Sequence, residues 1–487
     1  MKKKLSNILF NCPNIIKVQG DTNIVISGLH FDSRKIKENF VFVALEGTQV
    51  DGHQFIQHAI NNGASVIVCQ KQPQIYDQQI TVIIVKDSHL ALASLAANYY
   101  GHPSKELNLI GITGTNGKTT IATSLYRLFE KLGYKSGLIS TITNLMHNFE
   151  WLATHTTPDP ITINMLLEKM VKEHFCTYAF MEVSSHALEQ RRTCFLDFNG
   201  AIFTNITHDH LDYHLTFKNY LYAKKKLFDN LSSHAFALVN GDDKNHKVIV
   251  QNTKAKVYTF ALKNMADFRA RILEKHFDGT LAIIDNREIW LNLIGEFNVY
   301  NLLAVYATAV LLGINKEKAL EALSALPPVD GRFEIISKQG LTAIVDYAHT
   351  PDALKKILTE LNKIRQPKQR IITVLGAGGN RDKDKRPKMG QIASSLSNIL
   401  IITSDNPRNE DPQEIINQIE QGIDSENCTV LKIIERREAI HWALTIARKD
   451  DIVLVAGKGH ETYQEINGIK FYFDDRQIIK DFLNIKN

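Results

Sequence analysis

A chain of 487 residues, 44% hydrophobic and 22% charged, is too long for one ordinary core and is neither low-complexity nor membrane-like in composition. Its net charge of +5 is spread along the chain, and the tight basic runs are confined to residues 2–4, 224–226 and 381–388. A nucleic-acid surface is therefore not required, and small anionic substrates account for the balance equally well.

The five cysteines (Cys12, Cys69, Cys176, Cys194, Cys428) form no CxxC pair, which fits reduced thiols in a cytoplasmic protein with no structural zinc. The apolar residues behind Lys2, Lys3 and Lys4 are interrupted by Ser6, Asn7 and Asn11, which is not a signal-peptide pattern. No apolar run reaches the length of a membrane span.

In chain order, residues 1–86 read as a small α/β domain. Strand-like runs at 24–27, 40–45, 64–68 and 81–85 surround one helical piece at 53–62, with polar loops at 28–35 and 46–55. Asp87 or Ser88 then caps a helix that stops at Gly101 and Pro103.

The organising stretch is LNLIGITGTNGKTT, residues 107–120. An apolar strand at 109–112 runs into a glycine turn, and a helix with apolar positions at Ala122, Leu125, Leu128, Phe129 and Leu132 follows over 120–132, with Gly133 as its stop. Strand, glycine loop and helix together form an anion site. The backbone N–H groups of Gly114, Thr115, Asn116, Gly117 and Thr120 would converge on phosphate, Lys118 would reach the terminal phosphates, and Thr119 would hold Mg²⁺. The spacing is GxxGxxGKT and not the usual four residues between the first glycine and Gly-Lys, yet the flanking elements point to ATP.

From 87 to 333 strands and helices alternate, as a parallel sheet requires. Strands at 178–183 and 200–204 end in SSHALEQRR and NITHDHLDYH, so Glu182, Ser184, His186, His210 and Asp212 are expected to gather near Lys118. Glu182 and His210 are candidate Mg²⁺ ligands or their partners. On charge alone, Lys224 to Lys226 reads as a solvated helix face.

Residues 334–487 repeat the architecture as a second, Rossmann-like sheet. Buried-type strands at 371–375, 399–403 and 451–456 end in GAGGNRDKDKR, SDNPRNEDP and GKGHETYQE. Arg381, Lys383, Arg386, Asp405, Arg408, Lys458 and Glu461 on these loops suit a ligand carrying both carboxylates and amines. No acidic ribose partner follows GAGGN at the right distance, which argues against a dehydrogenase.

These motifs, in this order, resemble the Mur ligase family. The likeness runs from DSR (32–34) through GTNGKTT, TTPDP (156–160), MEVSSHAL, HDHLDYH, FNVYN (297–301), DGRFE (330–334), DYAHTPDAL (346–354), GNRDKDKRP and DNPR to AGKGHE.

The resemblance implies three domains and an ATP- and Mg²⁺-dependent cytoplasmic ligase, a monomer that binds no nucleic acid. It would join an amino acid to UDP-MurNAc-L-Ala-D-Glu through an acyl phosphate. Position by position, Ser33, Thr48, Gln49 and Val50 would meet the uridine nucleotide, and Thr156, Thr157, Ser184, Gln190 and Arg192 the muramoyl dipeptide. Asn298 and Asn301 would lie on the adenine side of ATP, and Arg332, Asp346 and His349 at its phosphates and ribose. Arg381, Asp405, Asn406, Pro407, Arg408, Gly457 and Glu461 would bind the amino acid.

Lys118, Glu182, His210 and Lys224 are the implied catalytic set. Lys224 would be carbamylated, because Tyr220, Ala223 and Lys224 fit the family's Y-x-x-A-K frame, and it would join Thr119, Glu182 and His210 around the metal.

DNPR marks the family's diaminopimelate-adding members. Arg408 would grip the distal carboxylate of meso-2,6-diaminopimelate, and L-lysine would leave it unpaired at about 2 to 5 kcal/mol. Lysine addition, a folylpolyglutamate synthetase-like ligase and an ATP-driven switch are the alternatives.

Overall fold

The computed structural model describes every residue except 1, 48–49, 75–78, 154, 339, 425 and 486–487. Among the described residues three large sheets, of five, eleven and six strands, and two two-stranded ones carry the chain.

The first has five strands, in which Gly28–His30, Phe40–Val43, Ala64–Cys69 and Thr81–Val85 run parallel and Ile15–Gln19 pairs antiparallel at one edge. Strands Ile15–Gln19 and Gly28–His30 are too short and too polar on one face to stand out in the sequence. The run at 24–27 contracts to Val25–Ile26, which pairs with Lys3–Lys4 outside this sheet. The helical piece at 53–62 divides into a 3₁₀ turn, Gly52–Phe55, and a helix, Ile56–Asn61. Asp87 accepts from the Leu90 N–H at the start of helix Ser88–Tyr100. That helix buries Ala91, Leu92, Leu95, Ala96 and Tyr99 against Val41, Val66 and Ile83 of the N-terminal sheet.

Strand Asn108–Thr113 lies in the middle of an eleven-stranded sheet, parallel to Tyr178–Glu182 on one side and Gly200–Phe203 on the other. The sheet is mixed where the sequence suggested parallel strands alone. Hairpin strands Thr143–Met146 and Phe149–Leu152 extend one edge and Thr280–Ile284 and Arg287–Leu291 the other, all antiparallel. Tight turns let these strands pair without a crossover helix.

Helix Lys118–Lys131 begins two residues earlier than its apolar periodicity indicates. The glycine loop feeds directly into it, and its face Ile121, Ala122, Leu125, Leu128 and Phe129 packs on Ile110, Ile112 and Phe180.

The third sheet has six strands. Leu341–Asp346, Ile452–Ala456, Ile371–Leu375, Ile399–Ile402 and Thr429–Lys432 run parallel, and Glu334–Lys338 closes one edge antiparallel. Helix Pro351–Ile364 starts at Thr350, whose hydroxyl accepts from the Ala353 N–H, and turns Leu354, Ile357, Leu358 and Leu361 into the core. The carboxyl ends of the second and third sheets face a shared cavity of about 780 Å³, lined by the phosphate loop, Glu182, Asp209, Arg332, His349 and Asp352 among others. Among the described residues no helix is long and apolar enough to cross a membrane.

Candidate active site at the junction of the two sheets

The phosphate loop is held from below. A Cβ on Gly114 would lie 1.8 Å from Thr204 Oγ1, so only glycine lets the loop settle on the neighbouring strand end. Thr204 Oγ1 and Asn205 Nδ2 donate to the Asn116 carbonyl, and the Thr115 N–H donates to Asn205 O.

Two lysines converge on this loop. Lys118 Nζ donates to the carbonyls of Gly114 (3.0 Å) and Thr115 (2.9 Å), and Lys224 Nζ donates to Gly114 (2.8 Å). Both therefore rest on neutral oxygens, with no carboxylate paired to either among the described residues. Burial and the neighbouring Lys118 charge hold the Lys224 amine well below the usual lysine range.

The solvated face expected for residues 224–226 does not form: Lys224 and Lys225 are buried, Lys225 pairs with Asp229, and Lys226 is half-buried and pairs with Glu189. The helix Phe217–Asp229 is amphipathic, and Leu221, Leu227 and Phe228 turn the first two lysines inward. Tyr220 and Ala223 of the same frame are also buried, and the Tyr220 hydroxyl is 3.0 Å from Thr115 Oγ1.

Glu182 is buried at the end of its strand. Its carboxylate accepts from Thr119 Oγ1 (3.1 Å), the Thr141 N–H (2.9 Å) and Thr141 Oγ1 (3.2 Å). Arg332, from the segment between the two large sheets, donates to Thr119 Oγ1 at 3.0 Å and stacks over Tyr347. Thr156 joins through Thr141 Oγ1. Thr157 ties the Glu182 carbonyl to the Ser184 N–H, and Arg192 links the Thr157 carbonyl to the Gln190 amide oxygen. Thr156, Thr157, Ser184, Gln190 and Arg192 are thus brought together beside Glu182.

His210 stands at the start of a short turn with φ 54°, its Nε2 3.4 Å from Asp209, and its ring packs on His186. Burial pushes the His210 imidazole down to about 3 and that of His186 to about 4, so both are neutral at neutral pH. Asp212 is exposed on the following turn and does not line the cavity; Asp209 does. Asp209, Thr141 and Lys385, which donates to the His349 carbonyl, were not singled out by the sequence reading. In HDHLDYH two aspartates and three histidines compete, and the turn geometry alone selects among them.

Asn301 lies against Gly117 at the phosphate end of the cavity, and its amide donates to Asn298, which in turn donates to the Ile294 carbonyl. Asp346 is buried, accepts from the Phe333 N–H, and is pushed up to about 6 by burial. Asn116 Nδ2 reaches Asp352 at 3.1 Å, a direct bond from the loop to the C-terminal unit.

The C-terminal loops form a second cluster. Lys458 is fully buried, donates to Asn406 Oδ1 (2.8 Å), and lies 3.6 Å from Asp405 and 3.7 Å from Glu461. Asn406 Nδ2 donates to Glu461, and a Cβ on Gly457 would strike Asp405.

Arg386 is fully buried and bidentate to Glu410, joining the 377–386 loop to the Pro407–Asp411 turn. Arg408 does not pair with Glu410. Its Nε donates to Glu465 (3.2 Å) and its Nη1 to the Gly379 carbonyl (2.7 Å). An amino acid lacking a distal carboxylate would therefore not leave this guanidinium unpaired, which corrects the expected source of discrimination. Arg381 is exposed at the rim of this cluster, and Pro407 lines it with backbone.

In the N-terminal unit Ser33 is buried, with its hydroxyl 3.0 Å from His58 Nδ1, and Val50 is exposed. Thr48 and Gln49 lie outside the described residues.

The strand–glycine loop–helix with an inward lysine and the facing Rossmann-like sheet define a nucleotide-dependent enzyme of two cooperating α/β units. Residues 25–100 match the Mur ligase family catalytic domain, 112–309 the Mur ligase middle domain and 331–459 the Mur ligase glutamate ligase domain. The chain is 51% identical to the UDP-N-acetylmuramoyl-L-alanyl-D-glutamate--2,6-diaminopimelate ligase of Bacteroides thetaiotaomicron, covering 99% of this chain and 100% of that one. It is 53% identical to the enzyme of the same name from Phocaeicola vulgatus over 96% of each chain. A solved structure of a ligase of that name superposes with a TM-score of 0.70 at 31% identity, covering 99% of both chains. The chain belongs to the Mur ligase family.

Proposed function

We propose that this protein is an ATP-dependent amide ligase that adds 2,6-diaminopimelate, in its meso form, to UDP-MurNAc-L-Ala-D-Glu in cytoplasmic peptidoglycan precursor synthesis. The observation that carries this reading is the cavity in which the anion-binding loop, the Glu182 cluster and the loop that follows strand Leu341–Asp346 of the C-terminal sheet meet. Similarity along the whole chain to relatives named for that reaction supports the choice of substrates.

A carboxylate is a poor electrophile, so the γ-phosphoryl group moves onto the D-glutamyl carboxylate to give an acyl phosphate. The amine of the incoming amino acid then attacks the acyl carbon and phosphate leaves. Lys118, lifted off the loop carbonyls, offsets charge on the transferring oxygens, and Arg332 supplies a second cation from the domain junction. Thr157 and Arg192 position the dipeptide, and the Asn116–Asp352 contact holds the units close enough for the two substrates to meet.

Mg²⁺ fits the residues present. Thr119 and Glu182 offer hard oxygens 3.1 Å apart, and neutral His210 keeps a lone pair. Bound there, Mg²⁺ would supply positive charge beside the phosphate oxygens. Burial and the Lys118 charge lower the basicity of Lys224, which favours the neutral amine that attack on CO₂ needs, and carbamylation would turn it into an oxygen ligand.

Phosphate release with ATP, Mg²⁺ and UDP-MurNAc-L-Ala-D-Glu, assayed with a panel of amino acids and with product mass, tests the reading. Turnover that requires meso-diaminopimelate supports it; equal use of L-lysine, or ATP turnover without amide product, would overturn it.

A further inference from the structure

The four-residue turn Asp405 to Arg408 is clamped from outside by the hairpin Tyr463–Ile466 and Ile469–Tyr472. Arg408 has a positive φ of 53°, strained for a side chain of its size, and two backbone bonds fix it there. The Arg408 N–H donates to the Glu465 carbonyl (3.0 Å), and the Asn467 N–H donates to the Arg408 carbonyl (2.8 Å). The GAGGN run supplies room on the other side. A Cβ on Gly378 would come within 3.0 Å of Arg408 Nη1, and one on Gly379 within 1.8 Å of the Pro407 carbonyl. The guanidinium is thus laid against glycine backbone, with Gly379 O taking Nη1 and the Glu465 carboxylate taking Nε. Nη2 makes no hydrogen bond among the described residues.

We propose that Glu465 is a positioning residue for specificity: by holding Arg408 at Nε it turns the far edge of the guanidinium toward the distal carboxylate of the incoming diamino acid. This rests on the reading that Arg408 receives that carboxylate. A planar fork binds a carboxylate well in one plane only, and the bonds at Nε and Nη1 restrict that plane while leaving Nη2 open. Glu465 is a quarter exposed and outside the sheet core, so its removal frees the guanidinium without opening a cavity.

The test uses the full-length enzyme with ATP, Mg²⁺ and UDP-MurNAc-L-Ala-D-Glu, comparing wild type, Glu465→Ala, Glu465→Gln, Arg408→Ala and the Arg408→Ala/Glu465→Ala double variant. Glu465→Ala is expected to raise KM for meso-diaminopimelate about tenfold, with kcat, KM for ATP and thermal midpoint near wild type. Glu465→Gln, which still accepts from Nε, should recover most of that loss. In the Arg408→Ala background the alanine change should add less than about twofold, because the two residues act as one unit.

An unchanged or lowered KM for the diamino acid in Glu465→Ala would overturn the proposal, as would a parallel rise in KM for ATP or full additivity with Arg408→Ala. Failure of the wild type to use meso-diaminopimelate would instead defeat the substrate reading, before any variant is compared.

Discussion

The glycine-loop cluster, which lines the cavity, and the cluster of C-terminal loops around Asp405 and Lys458, which does not, handle charge in opposite ways. At the phosphate loop the cations rest on neutral groups: Lys118 on backbone carbonyls, Arg332 on a threonine hydroxyl. In the C-terminal loops the buried and half-buried cations Lys458, Arg386 and Arg408 already have carboxylates: Lys458 with Asp405 and Glu461, Arg386 with Glu410, Arg408 with Glu465. A site that waits for a polyanion can leave positive charge uncompensated, because the ligand brings the compensation. A site for a zwitterion must be nearly neutral at rest, and it recognises its ligand by where the charges sit.

The sharpest way to break this contrast is Lys118→Ala. Removing an uncompensated charge from the phosphate loop should lower kcat on the order of a thousandfold while the thermal midpoint changes little. Near-normal turnover by the folded variant would show that the loop does not depend on that charge.

Lys224→Ala is expected to come next, with activity down about a hundredfold and partly restored by short carboxylic acids standing in for a carbamate. Lys225→Ala, which removes a lysine already paired with Asp229, should stay within a few-fold of wild type in kcat. If Lys225→Ala is instead the inactive variant, the modified lysine has been misassigned.

Arg408→Lys keeps the charge but loses the fork. It should raise KM for diaminopimelate about tenfold or more and leave KM for ATP alone, the signature of a site that reads geometry. Equal effects on both constants would place Arg408 in the fold and not in recognition.

The smallest effect is on stability against pH. His186 and His349 are pushed down to about 4 by burial, so the unfolded chain binds protons at these positions below its usual value near 6.5 while the folded chain does not. Stability they contribute near neutrality is therefore lost as pH falls from about 6.5 toward 4. Asp346, pushed up to about 6, acts with the opposite sign between about 4 and 6, since there the folded chain holds the proton and stability falls as pH rises. With His210, pushed down to about 3, acting in the same direction, the histidines outweigh Asp346 and leave a net acid destabilisation, read as a thermal midpoint that drops between pH 6.5 and 4.5 and drops less in His349→Gln.

By itself the sequence determined the strands and helices with strong periodicity and the loops that carry chemistry. Asn108–Thr113, Lys118–Lys131 and Ile371–Leu375 were legible because a buried strand or a one-faced helix writes its period directly into the apolar residues. Ordered motifs supplied Lys118, Glu182, His210 and Arg408. Tertiary structure decided the rest. The antiparallel hairpins at both edges of the central sheet depend on pairing partners, and their own composition does not announce them.

A run of three lysines looks solvated until the packing of helix Phe217–Asp229 shows that two of them point inward. Which carboxylate meets Arg408 could not be read either: Glu410, two residues away in sequence, was taken by Arg386, and Glu465 arrives from a hairpin 57 residues on. Ion pairs are fixed by distances across the fold, because a charge finds its partner through geometry and not through proximity along the chain.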